Sequence, residues 1–160
     1  MRSSQHLALA PSGDASVGSS ARHKVRVVLA EDHATMRRSL RQLLDGEPDI
    51  EVVGEADALP AAIAAVERTH PEVLVLDLRS PDGSNIDCVR RMRTHAPATS
   101  VVVITMHEAK AFARQAHEAG AVGFVLKDTA DVELPEAVRR AARGEVYTSP
   151  RVSSRAVPLR

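Results

Sequence analysis

The sequence predicts an α/β fold, a doubly wound parallel sheet of five strand–helix units, (βα)5, and three observations carry that expectation. Short apolar runs recur five times between residues 25 and 126. Four of them are rich in valine, leucine or isoleucine with little alternation, as strands buried on both faces require. Amphipathic stretches of helical period separate the runs, and right-handed crossovers then place helices on both faces of the sheet.

The first strand is Val25–Ala30, and after it Met36, Leu40, Leu43 and Leu44 fall at i, i+4, i+7 and i+8. The second run, Ile50–Ala56, precedes Leu59, Ala62, Ile63 and Val66 at i, i+3, i+4 and i+7. Val73–Leu78 leads into Ile86, Val89 and Met92, and Val101–Thr105 into Phe112, Ala113 and Ala116. Gly123–Leu126 closes the sheet before a last helix with Leu134, Ala137, Val138 and Ala141 on one face. Pro135 lies in that helix and removes a backbone donor, unless the helix starts just before it with Pro135 at the first position. Residues 1–23, rich in serine, glycine and alanine, read as a disordered leader. The domain is expected over 24–146, with 147–160 a linker-like tail.

Composition narrows the function. Of 160 residues, 44% are hydrophobic, enough for one core. Lysine plus arginine and aspartate plus glutamate each number 21, so the formal charge is zero and no basic surplus marks a phosphate-tracking surface. A single cysteine excludes a disulfide framework and a cysteine-based zinc site. No apolar run approaches the length of a membrane span, so a cytoplasmic protein without membrane contacts is expected.

In an open parallel sheet, ligands bind beyond the carboxyl ends of the strands. Here those ends read Glu31-Asp32, Asp77, Thr105 and Lys127. Three carboxylates and one ammonium sum to −2, which matches one divalent cation, and oxygen ligands favour magnesium. Lys127 is informative because lysine is scarce: the chain has only Lys24, Lys110 and Lys127 among its 21 basic residues. A compact, mobile point charge at this rim suits a phosphoryl group.

The segments Val27-Val28-Leu29-Ala30-Glu31-Asp32-His33, Val73-Leu74-Val75-Leu76-Asp77-Leu78-Arg79-Ser80-Pro81, Val103-Ile104-Thr105-Met106-His107 and Gly123-Phe124-Val125-Leu126-Lys127-Asp128 resemble the receiver domain of response regulators in two-component systems, in its NarL/FixJ-like subfamily. The resemblance implies a flavodoxin-like fold with strand order 2-1-3-4-5. It implies Asp77 as the phosphoacceptor for a sensor histidine kinase, and Mg2+ held by Glu31, Asp32, Asp77 and the backbone carbonyl of Arg79. Thr105 and Lys127 would each meet a phosphoryl oxygen. Phosphorylation would draw Thr105 inward and let Phe124 bury itself. That would reshape the face of the fourth helix, fifth strand and fifth helix for a downstream protein or a second copy.

The sequence departs from that pattern in places. Asn85 stands where the family has glycine, and the helix-turn-helix output domain does not follow, so no DNA binding is expected from this chain alone. Cys88 reads as a small hydrophobe, and His33 as a surface loop residue. His107 is a candidate for tuning water access, and Phe124 is either ordinary core or a switch. The arginine clusters Arg37-Arg38-Arg41, Arg90-Arg91-Arg93 and Arg139-Arg140-Arg143 read as solvated helix faces. Arg79 occupies the position where an aspartate-dependent phosphatase needs its second acid, and no dinucleotide or NTPase loop is present. The expected role is therefore a phosphoacceptor and not an enzyme, beyond self-phosphorylation and self-dephosphorylation. The alternatives are a truncated transcription regulator that binds DNA and, after it, a phosphatase.

Overall fold

The computed structural model describes residues 22–79 and 86–154. The expectations for most of the leader and for the turn at Asn85 lie outside these described residues. Five strands and five helices alternate as expected: β1 (Val25–Ala30), α1 (Ala34–Asp45), β2 (Ile50–Ala56), α2 (Leu59–Thr69), β3 (Val73–Asp77), α3 (Ile86–His95), β4 (Ser100–Thr105), α4 (Lys110–Ala119), β5 (Gly123–Leu126) and α5 (Ala130–Ala142). A single 3-10 turn, Lys127–Thr129, joins β5 to α5. All strands pair in parallel, in the order β2-β1-β3-β4-β5, and a sixth joins the β5 edge.

Alternate residues of the central strands enter two separate cores, which is why their sequences lack polar alternation. Val28, Leu74, Val103 and Phe124 pack towards α2, α3 and α4. Their neighbours Val27, Val73, Val102 and Val125 pack towards α1 and α5. Among the described residues, no helix is long and apolar enough to cross a membrane.

Three features settle or revise the sequence reading. First, α5 begins at Ala130, so Pro135 sits inside the helix and not at its first position. Its missing N–H leaves the Asp131 carbonyl without an intrahelical donor, and exposed Asp131 lets water serve instead. Acidic Asp131 and Glu133 in the first turn favour this earlier start. Second, the described part of the expected tail, 147–154, carries secondary structure. Tyr147–Thr148 form β6 beside β5, and Pro150–Ser153 form a short helix, α6, which buries Val152 against the α2–α4 core. The buried Ser149 hydroxyl accepts the Leu126 N–H at 2.9 Å. Third, Arg139 is not merely solvated: it forms a fork on Asp49 at 2.8 and 2.9 Å and also meets Glu47. That fork holds the Asp49 carboxyl below its ordinary value.

Gly120 closes α4 with φ of 116°, and its N–H bonds the Ala116 and His117 carbonyls. A Cβ there would stand 2.6 Å from Arg93 Cγ on α3. Gly120→Ala is expected to cost about 1–2 kcal/mol in urea unfolding, from left-handed backbone strain plus displacement of the Arg93 stem. An unchanged midpoint would show that this α3–α4 contact gives way freely.

Candidate functional site

The strand ends bring the predicted rim together. β1 runs out at Ala30, yet the Glu31 N–H still bonds the Ala56 carbonyl at 3.0 Å, which fixes where the acidic pair begins. From α1, Arg37 Nη1 donates to the Glu31 carbonyl at 2.8 Å. Asp77 ends β3, and the Leu78 N–H bonds Ile104 of β4 at 2.9 Å, so the chain stays in the sheet beyond the carboxylate. Lys127 opens the turn after β5, and its Nζ lies 2.9 Å from both Glu31 Oε2 and Asp77 Oδ1.

These three side chains are almost closed to water, at 0% exposure for Glu31, 6% for Asp77 and 9% for Lys127. Glu31 Oε2 and Asp77 Oδ1 are the buried side-chain oxygens, among the described residues, that lack an aligned hydrogen bond. Lys127 therefore meets them as a charge and not along their lone pairs. Burial raises the Glu31 carboxyl most, but Lys127 and the His33 N–H outweigh it and hold the group below its ordinary value. Burial also raises Asp77, the Glu31 charge adds to it, and Lys127 does not fully offset them, so Asp77 lies above its ordinary value. One buried ammonium thus serves two carboxylates and favours ionised Glu31 over ionised Asp77.

Sequence reasoning took only the backbone of Arg79, but its side chain also enters the site. The guanidinium pairs with Asp32, and its Nε lies 3.6 Å from Asp77 Oδ2. With Arg79 counted, three carboxylates face two cationic groups, and the rim carries −1 instead of −2. The Arg79 carbonyl accepts a hydrogen bond from His107 Nε2 at 2.5 Å. Thr105 is fully buried at the end of β4, and its hydroxyl accepts the His107 N–H at 3.2 Å. Arg79 was legible as the basic residue two places after Asp77; the His107 contact required the folded loops.

Phe124 is already buried, edge-to-face with Phe112 at 5.8 Å. The expected inward movement therefore has no outward starting point in this conformation. A cleft of about 240 Å³ opens beside the rim, lined by Glu31, Asp32, Asp57, Asp77, Arg79 and Cys88 among others.

The donor set fits a hard divalent cation: carboxylates at the end of the sheet, with buried oxygens that lack aligned donors. Glu31, Asp32 and His33 also bring one ligand atom each to within 4.8 Å of one another.

The family model for the response regulator receiver domain matches residues 27–139. The chain belongs to the response regulator receiver family. This receiver is 36% identical over 122 residues to the uncharacterized transcriptional regulatory protein YxjL of Bacillus subtilis, covering 76% of the chain and 56% of that protein. It is 38% identical over 120 residues to the DNA-binding transcriptional activator DevR/DosR of Mycobacterium tuberculosis, covering 75% and 55%. The signal receiver domain of the putative response regulator NarL from Mycobacterium tuberculosis superposes with a TM-score of 0.70 at 35% identity, covering 77% of this chain and 99% of that domain. The chain thus spans a little over half the length of the curated relatives named here.

Proposed function

We propose that this receiver accepts a phosphoryl group from a sensor histidine kinase on Asp77, with Mg2+ at the rim. The observation that carries the reading is the Lys127 ammonium, shared at 2.9 Å between Glu31 and Asp77 where three parallel strands end. Glu31, Asp32 and Asp77 would hold magnesium with the Arg79 carbonyl, once His107 and the Arg79 side chain give way. The bound ion would screen charge on the transferring group. An Asp77 oxygen attacks phosphorus in line, and the donor's bond to phosphorus breaks with its electron pair leaving on the donor. Lys127 then turns from a carboxylate to a phosphoryl oxygen, and the Thr105 hydroxyl to another, exchanging its bond from His107 for a donated one.

We further propose that output runs through α4, β5 and α5, for a downstream protein or a second copy. Arg151 of α6 pairs with Glu108 at 2.6 Å and Asp128 at 2.9 Å, which ties together the loops that follow Thr105 and Lys127. Movement in either loop would be felt by residues 147–154. A second reading, a receiver that governs DNA binding, is favoured by the relative named as a DNA-binding transcriptional activator. A gel shift with salt-resistant discrimination between DNA sequences would establish it.

Asp32→Ala tests the metal. It is expected to weaken magnesium at least tenfold by calorimetry, about 1.4 kcal/mol, and to slow labelling by a small phosphodonor. Unchanged affinity would place the ion elsewhere.

A further inference from the structure

An imidazole stands against the two acidic residues of the rim, and the phosphoryl chemistry leaves it without a role. His33 Nδ1 lies 3.4 Å from Glu31 Oε1 and 3.3 Å from Asp32 Oδ1. An imidazolium hydrogen-bonded to carboxylate would sit closer, at about 2.7–2.9 Å. Nitrogen and oxygen ligands around a tetrahedral ion with bonds of about 2.0–2.1 Å are separated by about 3.3–3.4 Å. Around octahedral magnesium, adjacent ligands stand closer, about 2.9 Å apart. The two distances at His33 match the wider, tetrahedral spacing, and the three ligand atoms together lie within 4.8 Å of one another.

A cation also marks the point between these groups. Arg79 Nη2 lies 3.3 Å from His33 Nδ1 and pairs with the Asp32 carboxylate as well. A guanidinium only donates, so Nδ1 offers its lone pair there and the ring proton belongs on Nε2. Asp32 Oδ2 and His33 Nδ1 therefore both stand against one positively charged nitrogen. Glu31, wholly buried, holds the third corner. Its Oε1 accepts the His33 N–H at 3.2 Å, while its Oε2 lacks an aligned donor. The backbone bond fixes the loop that carries the imidazole, and the ring itself remains accessible at 71% exposure.

We propose that the rim is a mixed nitrogen–oxygen site, in which His33 Nδ1 joins Glu31 and Asp32 to bind a borderline transition ion such as Zn2+ in competition with Mg2+. The proposal rests on the reading that Glu31 and Asp32 hold a divalent cation. An imidazole adds little for magnesium, which prefers oxygen, and much for zinc or cobalt. A divalent ion neutralises the two carboxylates and displaces the Arg79 guanidinium from them. A zinc-loaded rim would keep the same residues from magnesium, so the receiver would sense transition-metal excess at its own phosphorylation site.

The test uses the whole chain, cleared of metal, with zinc alone and magnesium alone in separate calorimetric titrations. His33→Ala is expected to lower zinc affinity at the tightest site at least tenfold while changing magnesium affinity less than twofold. Because His33 is exposed, this variant should fold normally, and zinc held by other histidines is common to both proteins. With cobalt alone, the wild type is expected to show the intense visible bands of a four-coordinate ion, weakened in His33→Ala. Equal zinc affinity in wild type and His33→Ala overturns the imidazole ligand whatever magnesium does. Asp32→Ala is expected to weaken both ions; if magnesium binds Asp32→Ala as well as wild type, the underlying metal reading fails instead.

Discussion

Asp77→Asn is expected to take up no phosphate from a small phosphodonor and magnesium, and to melt at a higher temperature than the wild type when magnesium is absent. The wild type should gain one acid-stable, base-labile acyl phosphate, and Asp87→Asn on α3 should label like the wild type. The stability gain follows from the charge of the site. Burial and the neighbouring Glu31 raise the Asp77 carboxyl above its ordinary 3.8, so the fold disfavours its ionised form. A carboxyl raised in this way costs nothing while it is protonated in both states. Stability then falls as pH rises from the ordinary value through the folded one. Asparagine removes that loss, so the melting difference should widen from pH 4 to pH 7. Glu31 runs the other way: held below its ordinary 4.5, it stabilises the fold above that pH, and the benefit disappears as pH falls through the lowered value. Normal labelling of Asp77→Asn would move the acceptor elsewhere, and a lower melting temperature would contradict the charge argument.

Lys127→Met is expected to give the largest loss of stability at the rim. It keeps much of the side-chain volume but leaves two buried carboxylates without their shared cation, a change of about 3 kcal/mol in the absence of metal. Magnesium should restore much of it, because a divalent ion can take over the neutralisation. Urea unfolding with and without saturating magnesium reads both effects. The double variant Lys127→Met/Asp77→Asn should be more stable than the sum of the two single effects predicts, since one of the stranded carboxylates is gone. Additive effects would mean that Lys127 and Asp77 are energetically independent despite their 2.9 Å approach.

Much of this rim was legible because a parallel sheet collects its loop residues at one end, whatever helices surround it. Glu31, Asp32, Asp77 and Lys127 needed only the register of apolar strands to be found. The side chain of Arg79 was hidden because its direction depends on how the loop after β3 turns. Phe124 was ambiguous because an aromatic residue in a short strand reads alike as core or as switch; its contact with Phe112 lies outside any local pattern. Pro135 drew attention from the acidic first turn that starts α5. The segment from Tyr147 to Ser153 escaped because a two-residue strand and a one-turn helix carry no measurable period, and the burial of Ser149 and Val152 arises from tertiary contacts.

That segment also decides how the sheet ends. The last apolar strand, Gly123–Leu126, is buried along its whole length. Tyr147 and Ser149 donate their N–H groups to the Val122 and Phe124 carbonyls at 3.0 and 2.9 Å, and the Ser149 hydroxyl takes the Leu126 N–H. Without them the run Gly-Phe-Val-Leu would present open backbone groups to any other strand it met, the arrangement from which chains stick edge to edge. Two residues of β6 and one serine hydroxyl blunt that edge. A boundary drawn at residue 146 would exchange a sealed margin for an aggregation-prone one, so solubility and the residues beside the output face are set by the same short stretch of chain.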